Sequence, residues 1–280
     1  MNHPMEIDRS GLLASLGGAE TAKTLDSEVK ADVLEHHMMM LMNLGPHGGA
    51  NDPGADQKYP TVAEVEAQIE TRYWRRGVGN LFVSPSGNVK KLPPLPEKPT
   101  LFDYFNLRFG ATRNHVLQSA ALALKNGMSE EIVLACLLHD TVMELIKTDH
   151  GWWGAALYEP YVPEKVSFAI RYHQTLRYYP DPSVGYEYPD LYRRIFGEDY
   201  VPPPYIQATY EMVRKHKWYM EPRLLTVNDL YAFDPNAKVS MDSFVDIIGR
   251  HFKQPKEGLG FDNSPVAHMW RTISRPDQPL

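Results

Sequence analysis

The chain has 280 residues, 43% hydrophobic and 11% aromatic, an ordinary composition for a globular protein with a sizeable core. Its net charge of −6 argues against a nucleic-acid partner, and its single cysteine, Cys136, rules out an internal disulfide framework and fits a reducing compartment. The opening "MNHPMEIDRSG" has no signal-peptide pattern, and no apolar run approaches the roughly 18 residues of a membrane span, so a cytoplasmic protein without a membrane partner is expected.

In chain order, residues 25–42, "LDSEVKADVLEHHMMMLM", follow a helical pattern that stops at Gly45-Pro46. His36, His37 and the methionines beside them read as an apolar helix face and not as ligands. "GPHGGANDPGADQKYP" is a loop by composition. Thr61, with Glu64 three residues on, has capping-box form and opens a helix in "TVAEVEAQIETRYWRRG". A short hairpin around Ser86-Gly87 and a proline-rich connector follow. From 101 to about 175 helical signals are dense. Asn114 can cap "HVLQSAALALK", which ends at Asn126-Gly127. Ser129 caps "EEIVLACLLHD", with two acidic residues in its first turn to complement the helix dipole. "DHGWWGAALY" is a third helical stretch, and Pro163 opens a fourth, "PEKVSFAIRYHQ". Residues 178–206, rich in tyrosine and proline, read as a long surface excursion that could be a lid or a static loop. "PPPYIQATYEMVRKHKWYM" and "EPRLLTVNDLYAF" are helical again, and Ser240 caps the amphipathic "SMDSFVDIIGRHF". With few or no strands, the fold class is all-α, a helical bundle. Residues 101–255 form its main domain, 1–100 an N-terminal extension packing on it, and 256–280 a tail.

The chemistry concentrates at His139-Asp140, where an apolar run ends in an imidazole beside a carboxylate. Neighbouring helix residues lie about 100° apart, so both groups can lean towards one point beside a helix end. Alone, such a pair also suits a capped or solvent-facing terminus. A tight hairpin at 126–129 would bring His115 to His139 across two antiparallel helices. His150 follows on the third helix and His173 near the end of the fourth. Asp229 lies in the apolar run "LLTVNDLYAF", where a bare carboxylate is costly to bury unless paired or ligated; Asp234, in a loop before a proline, is the weaker alternative.

The ordered set His … His-Asp … His … His … Asp resembles the HD-domain superfamily of helical metalloproteins, in particular its two-metal branch. "IRYH" at 170–173, and "NDLYAF" followed by a capped amphipathic helix at 228–252, are similar to myo-inositol oxygenase. The ligand order and spacing from His150 to Asp229 are similar to the HD-domain phosphonate oxygenases. Both groups are mixed-valent di-iron oxygenases, and the resemblance covers residues 101–255. It implies that His115, His139 and Asp229 hold one metal, that His150 and His173 hold the other, and that Asp140 bridges them. It further implies two iron ions, Fe(II)/Fe(III), and a small hydroxylated substrate oxidised or cleaved with O2. A nitrogen-rich set of this kind suits iron, manganese, cobalt or zinc. The runner-up is an HD-domain phosphohydrolase that uses manganese or another divalent ion on a nucleotide or phosphate monoester.

The resemblance also frames the remaining candidates. Tyr104 stands where the phosphonate enzymes carry a tyrosine that can occupy an open iron position, or it packs in the core. Met143 replaces the lysine that inositol oxygenase uses towards substrate, with Lys147 a turn later, so myo-inositol is not carried over as substrate. Arg171, Arg177 and Tyr178, which flank His173, could recognise an anionic or polyol substrate, since guanidinium groups bind carboxylate or phosphate bidentately; they could equally form a solvated helix end. Trp152 and Trp153 could line a cavity or pack beneath the site.

Overall fold

The fold was analysed on a computed structural model, which describes residues 19–24, 29–33, 35, 75–76, 81–83, 89–110, 112–146 and 149–274. Helices dominate. Short helix α1, Ala19–Thr24, is followed by helical residues 29–33 and 35. Three short strands come next, β1 (Arg75–Arg76), β2 (Leu81–Val83) and β3 (Val89–Lys91), paired antiparallel in the order β1-β2-β3. The main body follows as α2 (Leu101–Leu107), α3 (Arg113–Lys125), α4 (Glu130–Leu138), α5 (His150–Tyr158), α6 (Glu164–Leu176), α7 (Asp190–Phe196), α8 (Pro204–Val213), α9 (Met220–Leu230), α10 (Val245–His251) and α11 (Ala267–Ser274). No helix among the described residues is long and apolar enough to cross a membrane.

Helix α4 is the hub. Every residue from Ile132 to Leu138 is buried, as expected of a helix that is apolar all round. It packs against α3, α6, α9 and α10. Ser129 caps it, its hydroxyl accepting the Ile132 N–H. The turn that feeds it is a Schellman ending of α3: the Met128 N–H donates to Ala123 O, the Gly127 N–H donates to Leu124 O, and Gly127 adopts φ 68°. This tight reversal sets α3 against α4, as the Asn126-Gly127 signal predicts. The predicted Asn114 cap is off by a little. The helix starts at Arg113, with Thr112 at the cap and no side-chain bond to the first turn.

Other expectations are corrected. Arg75–Arg76, the end of the stretch read as a helix from Thr61, is strand β1, whose backbone is satisfied by β2. Thr61, Glu64, His36, His37 and the Ser86-Gly87 turn lie outside the described residues, although β2 and β3 flank that turn as an antiparallel pair. The 178–206 segment is no loose excursion. It contains α7, and it buries Tyr178, Tyr186 and Tyr192. Fully buried Arg223 pins its start by donating to Leu176 O and Tyr179 O. The helix read through "PPPYIQATYEMVRKHKWYM" breaks after Val213, and α9 begins at Met220. Beyond residue 255 the chain returns to the core, because Trp270 and Ile273 of α11 are buried with Leu101, Tyr104 and Phe109.

The approach of α5 to α6 matters most for the site. A Cβ on Gly151 would sit 2.8 Å from both Gln174 Oε1 and Ile170 O, and 3.2 Å from His173 Cε1. On Gly154 it would sit 3.2 Å from His139 O and from Ile170 Cγ2. Glycine at these two positions lets α5 lie directly on α6. Because the Ile170 carbonyl is backbone and cannot swing away, Gly151→Ala should destabilise the fold by about 1–3 kcal/mol. Chemical denaturation measures this, and an unchanged midpoint would contradict the packing described.

Candidate metal centre

The site forms where α3 begins, α4 ends, α5 begins and α6 and α9 end. His115 lies in the first turn of α3, and its ring stacks on Phe233 at 4.4 Å between centroids. His139 caps α4, and Asp140 follows in the turn before the 3-10 helix Thr141–Glu144. His150 opens α5 directly after Asp149, the one non-glycine residue of positive φ (55°) among the described residues. Aspartate tolerates that left-handed geometry better than most residues, and here it aims the start of α5 inward. His173 belongs to α6 and Asp229 to α9. All six side chains are buried.

The outer nitrogens of three rings are fixed by backbone carbonyls. His115 Nδ1 lies 3.1 Å from Ala232 O, His139 Nδ1 2.9 Å from Cys136 O and His173 Nδ1 2.6 Å from Ile170 O. A carbonyl only accepts, so each Nδ1 carries the hydrogen and each Nε2 presents a lone pair. Those lone pairs converge. His115 Nε2 is 3.3 Å from His139 Nε2, 2.9 Å from Asp229 Oδ1 and 3.3 Å from Asp140 Oδ2. His139 Nε2 is 3.4 Å from Asp229 Oδ1 and 3.3 Å from Asp140 Oδ1. On the other side, Asp140 Oδ1 is 3.1 Å from His150 Nε2 and 3.7 Å from His173 Nε2.

These residues fall into two groups able to hold a metal ion, His115–His139–Asp140–Asp229 and Asp140–His150–His173, with Asp140 common to both. Two observations support that fit. Nitrogen and oxygen ligands about 2.0–2.2 Å from one ion stand roughly 2.9–3.4 Å from each other, which is the spacing in the first group. Among the described residues, both Asp140 oxygens, Asp229 Oδ1 and His173 Nε2 are buried without a hydrogen bond of ordinary geometry. Native proteins seldom leave such atoms unsatisfied unless an ion or water meets them.

The electrostatics agree. Burial would raise the Asp140 carboxyl, but the imidazoles of His139, His150 and His115 around it outweigh that and hold the group well below the usual range. Asp229 is likewise depressed against its burial, by His139 and His115. Burial lowers His115, yet the carboxylates of Asp140 and Asp229 beside its Nε2 raise it well above its ordinary value. His150 is pushed up to about 10 against its burial, chiefly by Asp140. His173 is pushed down, mainly by burial. Each raised imidazole marks the same demand: the carboxylates favour a proton on its Nε2 unless a metal ion takes that place.

The other sequence candidates are not brought to this point. The Tyr104 hydroxyl bonds Ser274, Trp270 O and Leu259 O within the aromatic core, and burial raises the phenol to about 12, so it stays protonated. This corrects its reading as an occupant of an open metal position. Arg171 lies over the Trp152 ring, 4.4 Å from its centroid, and its guanidinium is 3.6 Å from Glu159. Tyr178 packs with Tyr192, Phe196 and Tyr200. Trp152 and Trp153 are exposed and do not pack beneath the site. Lys147 lies outside the described residues. Asp234 instead accepts the Asn236 N–H in its own loop, so Asp229 is the carboxylate at the cluster.

Arg177 is close to the cluster but already engaged. It is buried, 2.8 Å from Asp32 and 3.3 Å from Glu35. Those two buried acids are the site residues that sequence reasoning missed. Burial, with Asp140 and Asp229 nearby, drives the Glu35 carboxyl well above its ordinary range. With His150 they make a third group of metal-ligand spacing. Their i, i+3 spacing beside buried Ala31 is the only sequence signal they carry.

A scan against protein-family models finds no match, and a search of curated proteins finds none either. The site therefore rests on its geometry. His139→Ala should strip bound metal, whereas Tyr104→Phe should leave metal content intact and cost about 1 kcal/mol of stability. Elemental analysis and denaturation of the two variants check this. Chelation of metal-loaded protein should lower thermal stability, by about 4 kcal/mol if free metal had stood a thousandfold above Kd.

Proposed function

We propose that the chain is a dinuclear metalloenzyme of the di-iron oxygenase type on an HD-domain-like scaffold, acting with O2 on a small hydroxylated substrate. The observation that carries this reading is the single buried carboxylate, Asp140, shared by two groups of imidazoles. Four imidazoles with two carboxylates make a borderline donor set, suited to iron and its neighbours and poorly suited to magnesium or calcium. When bound, a mixed-valent Fe(II)/Fe(III) pair would supply the redox chemistry and a Lewis-acidic site for a substrate hydroxyl.

The chain's own residues do the rest. The carbonyls of Cys136, Ile170 and Ala232 keep three imidazoles in the ligating tautomer and orientation. Buried Leu138, Val142 and Ile170 keep bulk water from the surroundings, which strengthens electrostatic contacts inside. A buried Cys136, whose thiol burial raises to about 12, fits the reducing cytoplasm we assign.

The runner-up is a phosphohydrolase that uses manganese or another divalent ion. It needs cationic groups to receive a phosphate, and Arg177, the guanidinium beside the cluster, is committed to Asp32 and Glu35. That commitment favours the oxygenase reading. Electron paramagnetic resonance of aerobically purified, partly reduced protein decides between them. The expected result is a coupled Fe(II)/Fe(III) signal that shifts when a hydroxylated ligand is added. Bound manganese with turnover of a generic phosphate ester would select the hydrolase.

A further inference from the structure

We propose that Glu35 is a protein ligand of the ion held by His150 and His173, so that the N-terminal segment completes the second half of the centre. This rests on the dinuclear reading above. The first group has two imidazoles, a carboxylate of its own in Asp229, and shared Asp140. The second has two imidazoles and shared Asp140, and among the described residues of the helical body no carboxylate of its own. Glu35 supplies the missing counterpart. Its Oε2 lies 3.5 Å from His150 Nε2, the ring nitrogen that is 3.1 Å from Asp140 Oδ1. Asp32 approaches the opposite nitrogen, with Oδ1 3.7 Å from His150 Nδ1. Glu35 is therefore on the metal-facing side of the ring and Asp32 on the outer side.

The surroundings hold each acid to that division. Asp32 Oδ1 accepts from Arg177 Nη2 and from Gln174 Nε2, both at 2.8 Å. Gln174 Oε1 accepts the Gly151 N–H at 2.6 Å, which links Asp32 to the first turn of α5. Arg177 Nη1 donates to Glu35 Oε2 at 3.3 Å. Glu35 and Asp140 are both buried, and both press on His150 Nε2. Two carboxylates in that position repel unless positive charge stands between them.

The test is titration of the full-length, metal-stripped chain with cobalt(II) alone, followed by calorimetry and visible absorption. The unaltered chain should take up two ions. Glu35→Gln should leave the first ion unchanged and weaken the second on the order of ten- to a hundredfold, with a changed cobalt spectrum for the second ion only. Equal affinity for both ions in Glu35→Gln and the unaltered chain overturns the assignment and leaves the dinuclear reading standing. A matched loss at both ions, with a lowered melting temperature, also overturns it, since that is the mark of a purely structural role. Uptake of fewer than two ions by the unaltered chain overturns both. If circular dichroism shows Glu35→Gln to be unfolded, Glu35→Asp decides. It retracts the carboxylate by one methylene and should weaken the second ion alone, whereas unaltered affinity overturns the proposal.

Discussion

Two imidazole lone pairs face each other across 3.3 Å beside a carboxylate that has no exposure. A closed protein core tolerates that arrangement only if positive charge sits among the three groups, because unpaired buried charge costs several kcal/mol. Everything around Asp140 keeps the groups where they are. Carbonyls of α4 and α6 and of the turn after α9 fix the rings from behind. Helix α4, buried on all sides, supplies the platform on which His139 and Asp140 stand. Gly151 and Gly154 remove the bulk that would hold α5, and with it His150, away from α6.

The six candidate ligands were legible because each sits at a helix end that local signals also mark. The Asn126-Gly127 reversal and the Ser129 cap together set the α3–α4 hairpin, and that hairpin alone brings His115 to His139. Asp229 was legible because a carboxylate in an apolar run needs a partner. Tyr104 was misplaced because distance along the chain before His115 does not say which face of α2 turns to the cluster. Its face turns to α11. Trp152 and Trp153 were misplaced for a related reason. A helix rotates about 100° per residue, so the sequence neighbours of a ligand point elsewhere.

The acids at 32 and 35 were illegible for a different reason. On an amphipathic helix, charged residues ordinarily mark the wet face, and here they mark the driest one. The guanidinium of Arg177 and the amide of Gln174, from the end of a helix far along the chain, make their burial tolerable. The same guanidinium read, from sequence, as a hand extended to substrate. A charged side chain next to a site in sequence faces inward to neutralise the protein as readily as outward to bind a guest, and local pattern does not distinguish the two.

The residues around Asp140 are scattered along the chain, from position 115 to position 229. No shorter stretch contains a usable set for the first group, since its last member arrives with α9. During synthesis the four-ligand nest therefore stays incomplete until α9 has emerged and docked. An ion taken up there would arrive at the end of the folding order and work as a molecular latch: it would engage only on a chain whose topology is already correct, and it would then slow every route back.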